Sequence, residues 1–147
     1  MMLAKQQIYH PVYSTLRVAP LLVLPLAVFV FCVAASQPGW ATAVAFSLNM
    51  ISGAFWSVSY GDLFVFGSLI VLFVEIVKSV NTEASEIMNH SLSMLVAIVC
   101  VILFATASAF TNSAFFMLMT MTFIDVIAGF AITIVSARRD IGMQSAH

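Results

Sequence analysis

Three apolar runs, at residues 63 to 80, 92 to 110 and 114 to 137, constrain this chain more than any other feature. Each approaches or exceeds the roughly 20 residues that a helix rising 1.5 Å per residue needs to cross a hydrocarbon layer of about 30 Å. A water-soluble domain has no place for three such runs in 147 residues. Composition agrees: 63% of the residues are hydrophobic and 7% charged, where a soluble domain carries about a quarter charged residues. The sequence therefore predicts a polytopic membrane protein. With so few charges, the formal net charge of -1 carries no signal for nucleic acid or acidic partners, and only the placement of charges informs.

A fourth run, at residues 18 to 35, is slightly short and holds Pro20 and Pro25, which a membrane helix tolerates in its first turns or as a kink. The segment from 40 to 57, WATAVAFSLNMISGAFW, is apolar enough to pass for a fifth span. Positive residues in short loops decide between four and five, because they stay on the cytoplasmic side. With four spans and the N-terminus inside, Lys5, Arg17, Lys78, Arg138 and Arg139 all fall inside; a fifth span moves three of them out. Four spans are expected, with both termini cytoplasmic and 40 to 57 left on the outer face. There Trp40, Val44, Leu48, Ile51 and Phe55 recur at helical spacing, so the expected form is an amphipathic helix lying in the interface, anchored by Trp40 and Trp56. A re-entrant hairpin broken at Ser52-Gly53 is the competing form. The overall expectation is an all-α four-helix membrane bundle forming a single domain over residues 1 to 147.

A signal peptide competes with the first span, since Lys5 and Arg17 precede it and Val33-Ala34-Ala35 resembles a cleavage site. The run exceeds a usual signal core, so it is expected to stay as a helix. Short connections supply local signals. Ser59-Tyr60-Gly61-Asp62 reads as a capping-box variant before the second span. Thr111-Asn112-Ser113 is so brief that the third and fourth spans must be antiparallel neighbours. Thr82, followed by Glu83 and Glu86, is expected to cap the third helix.

The stretches SGAFWSVSYGDLFVFGSLIVLFVEIVKS, NHSLSMLV and TFIDVIAGFAITIVSARRDIG resemble a family of small inner-membrane proteins found widely in alphaproteobacterial genomes. The resemblance covers roughly residues 52 to 142 and implies four spans in a bacterial inner membrane. It implies no activity. In the family pattern the second helix runs into a basic loop and the third opens with an acidic-His pair; here those positions read Val80-Asn81-Thr82 and Asn89-His90, so roles resting on the extra charges do not carry over.

Embedded polar residues mark where function would lie. Glu75 and Lys78 share one face of the second helix in the favourable order, and they sit close enough to its inner end to meet water. They are expected as an interfacial ion pair, with a proton or ion relay as the functional alternative. Asp125 falls near the bilayer midplane, about 18 Å above the inner boundary if the last helix leaves the membrane at Ala137. Counted so, Ser68 and Thr106 are its neighbours and no cation stands at its depth. A lone carboxyl there is cheaper as the neutral acid, which both donates and accepts. Thr122, Asp125, Gly129, Thr133 and Ser136 line one stripe, expected to act as glue between helices, with a transport-path proton site as the sharper alternative.

Other chemistry is not expected. Cys32 and Cys100 match no metal or disulfide spacing and read as small core hydrophobes. Haem would want histidines on facing helices, whereas His90 alone lies near a span and His10 and His147 lie in the tails. No nucleophile, base and orienting group can be assembled. Met117, Met119 and Met121, with Phe115, Phe116 and Phe123, read as packing residues. The chain is expected to be no enzyme, without cofactor or metal, its partners being the lipid bilayer and other membrane subunits or copies of itself. Two functions follow: an accessory or assembly subunit acting through helix packing, or a small oligomeric proton- or ion-coupled transporter or channel using Asp125 and Glu75.

Overall fold

The computed structural model describes residues 20–35, 39–79 and 86–144, excepting the side chains of 86–88 and 136–144. In chain order these form α1 (Val23–Ala35), a 3-10 turn (Trp40–Thr42), β1 (Val44–Asn49), β2 (Phe55–Ser59), α2 (Tyr60–Ser79), α3 (Glu86–Thr106), a second 3-10 turn (Ser108–Phe110) and α4 (Ser113–Gln144). Within them, Tyr60–Ser79, Asn89–Thr106 and Ser113–Val135 are long and apolar enough to cross a membrane. The 13 residues of α1 span only about 20 Å. The first apolar run thus gives a helix shorter than a span among the described residues. The expected cap at Thr82, with Glu83, lies outside the described residues, as do the tails holding Lys5, His10, Arg17 and His147 and the side chains of Arg138 and Arg139.

The helix starts follow from their caps. The Ser59 N–H donates to Asp62 Oδ2 at 2.9 Å and the Asp62 N–H to Ser59 Oγ at 3.1 Å, a reciprocal capping box that starts α2. At the head of α4, Asn112 Oδ1 accepts the Phe115 N–H at 3.0 Å. The tight Thr106-to-Ser113 connection folds α4 back along α3, as its brevity requires. Helix α4 is the centre of the assembly and packs along both α2 and α3, which meet each other far less.

The expected interfacial helix over 40 to 57 is not formed, and the chain is not all-α. A β-hairpin stands there, pairing Phe46 with Val58, Ser47 with Ser57, Leu48 with Trp56 and Asn49 with Phe55. Its three-residue loop, Ile51-Ser52-Gly53, closes through Gly53 N–H to Met50 O at 2.9 Å, with Gly53 at φ 82°. That left-handed position after a turn is where glycine costs least. The segment alternates as well as it spirals: Phe46, Leu48, Trp56 and Val58 share one face, and Ser47, Ser57 and Asn49 the other. Two runs of alternating residues around Ser-Gly outweigh a helical spacing that glycine and β-branched residues do not support.

At the hairpin end of the helices lies an aromatic core. Phe29 of α1 is fully buried at its centre, with ring centroids 5.2 Å from Trp40, 5.3 Å from Phe64 and 4.9 Å from Phe115. Trp40, expected as an interfacial anchor, is instead half-buried in this core, because the 3-10 turn folds its indole inward. Trp56 is exposed, as an anchor would be. Close approach here depends on Gly61, where a Cβ would fall 2.5 Å from the Ala41 carbonyl oxygen. Cys100, Leu118 and Phe110 complete the packing, and Cys100 and Cys32 are free thiols.

Phe29→Ala empties the middle of this core, whereas Phe31, 70% exposed one turn-half away, has no such role. We expect Phe29→Ala to lose about 3 kcal/mol of stability and Phe31→Ala less than about 0.5. Thermal or denaturant unfolding in detergent micelles measures the difference, and equal losses would contradict this core.

Candidate functional site

The polar residues of α2, α3 and α4 gather at the end of the molecule away from the hairpin. Glu75 of α2 is their hub, 1% exposed despite its charge. Its Oε2 accepts the backbone N–H of Leu21 at 3.0 Å, its Oε1 accepts Asn89 Nδ2 at 2.8 Å, and Lys78 Nζ stands 3.6 Å from Oε2. Leu21 lies two residues ahead of α1, in the turn whose carbonyls accept the Val23 and Leu24 N–H groups, so its own N–H needs a partner from elsewhere. Glu75 therefore caps α1 from another helix, placing a negative charge at the positive end of that helix's dipole. Asn89, from the first turns of α3, ties that helix to the same carboxylate.

This corrects the expectation of a water-facing ion pair. The Glu75–Lys78 pair exists, but only the lysine is partly exposed, its side chain at 22%. What draws Glu75 inward is the unpaired N–H of a helix that starts at its own level, a demand invisible in the spacing of Glu75 and Lys78 alone.

Asp125 of α4 is 4% exposed, so it faces protein. The groups acting on its carboxyl are Ser93, Glu75, His90 and Lys78. Its expected neighbours are elsewhere. Ser68 Oγ donates to Phe64 O at 2.8 Å, and Thr106, exposed, donates to Ile102 O at 2.6 Å. The remaining hydroxyls of the stripe behave alike: Thr122 donates to Met119 O at 2.7 Å and Thr133 to Gly129 O at 2.9 Å. Each donates within its own helix, as serine and threonine do where no water competes, while Thr122 also pairs with the Cys100 thiol of α3, one contact of the stripe between helices. The membrane-crossing part of α4, Ser113–Val135, has Asp125 near its middle, as the depth count expected. Counted from the Thr106-to-Ser113 turn, Asp125 lies about 18 Å down α4, Ser93 about 20 Å down α3, and Glu75 about 22 Å from the start of α2. His90 and Lys78 act on its carboxyl from further along, about 6 and 9 Å beyond it by the same count.

Gly129 is a seat. A Cβ there would collide with the His90 imidazole, so only glycine lets that ring lie on the α4 backbone. His90 and Ser93, which sequence reasoning left out of the site, belong to it; their spacings to Asn89, one and four residues, put all three near one face of α3. Together Glu75, Lys78, Asn89, His90, Ser93 and Asp125 make a buried acid, base and amide cluster drawn from three helices. Such a group can hold or pass a proton or a small cation, or lock helices together. Among the described residues, no group of three or more His, Cys, Asp and Glu side chains is arranged to hold a metal ion.

Comparison with protein-family models, with curated proteins and with solved structures finds no match for this chain.

The two α-helical glycines of this half make a matched test. Gly129→Ala drives a methyl group into His90, while a Cβ at Gly67 meets nothing within 4 Å. We expect Gly129→Ala to destabilise by about 1 to 3 kcal/mol and Gly67→Ala to be neutral or stabilising by up to about 1 kcal/mol. Unfolding curves of the two variants check this, and a silent Gly129→Ala would contradict the placement of His90.

Proposed function

We propose that this chain is a non-catalytic integral protein of a bacterial inner membrane, with α1 and the residues before it making a fourth crossing and both termini cytoplasmic. It serves as a subunit or assembly factor of a larger membrane complex. The observation that carries this reading is the hairpin. Phe46, Leu48 and Trp56 present an exposed apolar face, with Ile51 exposed at the tip, while Ser47, Ser57 and Asn49 occupy the opposite face together with the exposed Phe55. A two-stranded hairpin is marginal by itself, and among the described residues both outer edges of this one are without a strand partner. No charged residue occurs between residues 18 and 61, so charge does not select what covers this face. An apolar or strand-adding contact from another membrane subunit suits it. The lipid-facing side chains of the helices, Phe66, Phe73, Ile127 and Phe130 among them, need only the bilayer.

A second reading, a small oligomeric proton- or cation-coupled transporter or channel, is favoured by the convergence of Glu75, Asp125, His90 and Lys78. Charge is not scarce at depth here but concentrated, the arrangement a coupling site needs.

Purification in mild detergent followed by mass spectrometry distinguishes the two. The subunit reading expects an unrelated partner in fixed stoichiometry, lost when Leu48→Ser and Trp56→Ser are combined in a hairpin that still folds. A pure homo-oligomer that ignores these substitutions, together with proton or cation flux in proteoliposomes abolished by Asp125→Asn, would overturn it for the transport reading.

A further inference from the structure

Glu75 has its acceptors occupied, but the atoms around Asp125 do not. Asn89 Oδ1, Ser93 Oγ and Asp125 Oδ2 are all buried without a hydrogen-bond partner among the described residues. The three residues are 3%, 3% and 4% exposed. Ser93 faces the Asp125 carboxyl, yet its Oγ makes no bond of proper distance and angle. Asn89 and Ser93 are four residues apart on α3, one helical turn, so their oxygens stack along the same face. Asn89 cannot turn its amide to relieve its oxygen without losing the bond from Nδ2 to Glu75. Each unsatisfied buried group costs about 1 to 3 kcal/mol, and in one small region that cost calls for a shared occupant.

Charge narrows what the occupant is. Lys78 offsets Glu75, and with a neutral imidazole at His90 the cluster keeps the one negative charge of Asp125. A proton on Asp125 that donates to Ser93 Oγ, with the Ser93 hydroxyl donating onward to Asn89 Oδ1, competes with a cation for the same oxygens. A divalent ion would leave an excess positive charge in an apolar layer. The donors are one carboxylate and two neutral oxygens, the set that suits a hard cation and not a soft or borderline metal.

We propose that Asp125 Oδ2, Ser93 Oγ and Asn89 Oδ1 form a binding site for one monovalent hard cation of the sodium kind between α3 and α4. His90, seated on Gly129 one turn from Asp125, closes the site on the side away from the hairpin. The proposal rests on the transport reading for the use made of the ion, but not for its binding: sodium binding without flux keeps the site and removes that reading.

The test uses the full chain in nanodiscs at pH 8, where an ordinary imidazole is neutral. Thermal unfolding is followed while sodium chloride replaces choline chloride at constant ionic strength, and equilibrium dialysis with radioactive sodium counts bound ions. The wild type is expected to gain thermal stability in a saturable, sodium-specific way and to bind one ion per chain. Asp125→Asn should lose this response, and Ser93→Ala should weaken half-saturation by about tenfold, the effect of about 1.4 kcal/mol. Should Asp125→Asn fail to fold, Ser93→Ala alone decides. An identical response to sodium and choline would overturn the site, leaving a water or a proton to satisfy the oxygens. So would a Ser93→Ala half-saturation equal to the wild type's.

Discussion

The structure depends on one carboxylate. Helix α1 begins level with Glu75, about a turn short of the end of α2, so the Leu21 N–H of its opening turn lies where water is scarce. In such surroundings an unanswered backbone donor costs several kcal/mol. Glu75 answers it, and an ionised or hydrogen-bonded acid buried to 1% must itself be answered. Lys78 supplies charge from the next turn, and Asn89 supplies a donor from α3. Helices α2 and α3 touch little along their lengths, so this bond is a main link between them, with α4 wedged against both. Asp125 is carried on α4 into the space beside that link. The fold thus obliges the deepest acid to face the most polar part of the molecule.

The two ends of the bundle use different physics. At the hairpin end, Phe29, Trp40, Phe64, Phe110 and Phe115 pack edge to face or tilted, geometry that dispersion and ring quadrupoles favour in a setting where lipid removes most of the hydrophobic driving force. At the other end, hydrogen bonds and charge replace aromatic contact. One glycine serves each end by removing a side chain: Gly61 lets the Ala41 carbonyl approach α2, and Gly129 lets the His90 ring rest on α4. Rigidity at both ends leaves the hairpin, exposed except for Val58 and the half-buried Ala45 and Ser59 at its base, as the element most open to a second molecule.

Much of this was legible in the chain. Hydropathy located the three long helices, the Ser59-to-Asp62 spacing foretold a capping box, and the Asn112 turn required α3 and α4 to run antiparallel. The hairpin was hidden because Val44, Leu48, Ile51 and Phe55 satisfy a helical period by coincidence, while Phe46, Leu48, Trp56 and Val58 satisfy a strand period in register. Asp125 was correctly singled out as buried near the middle of its span but given other neighbours than Ser93, Glu75 and His90, since depth along one helix does not say which residues of the others lie beside it. A tight turn is the better ruler, because it fixes two helices to one origin. The hydroxyls of Ser68, Thr106, Thr122 and Thr133 were read as contacts between helices, although a neighbouring carbonyl one turn back is always within reach. Glu75 as a cap for α1 could not be read at all, being a contact across 54 positions of sequence.

The link from Glu75 to Asn89 is the most direct place to test this account, through a double-mutant cycle of Glu75→Leu and Asn89→Leu. Unfolding free energies of the wild type, the two single variants and the double variant, measured in one detergent, isolate the coupling between the side chains. Two groups bonded at 2.8 Å in a buried node should show a coupling of about 1 kcal/mol or more. Losses that add to within about 0.5 kcal/mol would mean that the two residues act independently and that Glu75 does not join α2 to α3.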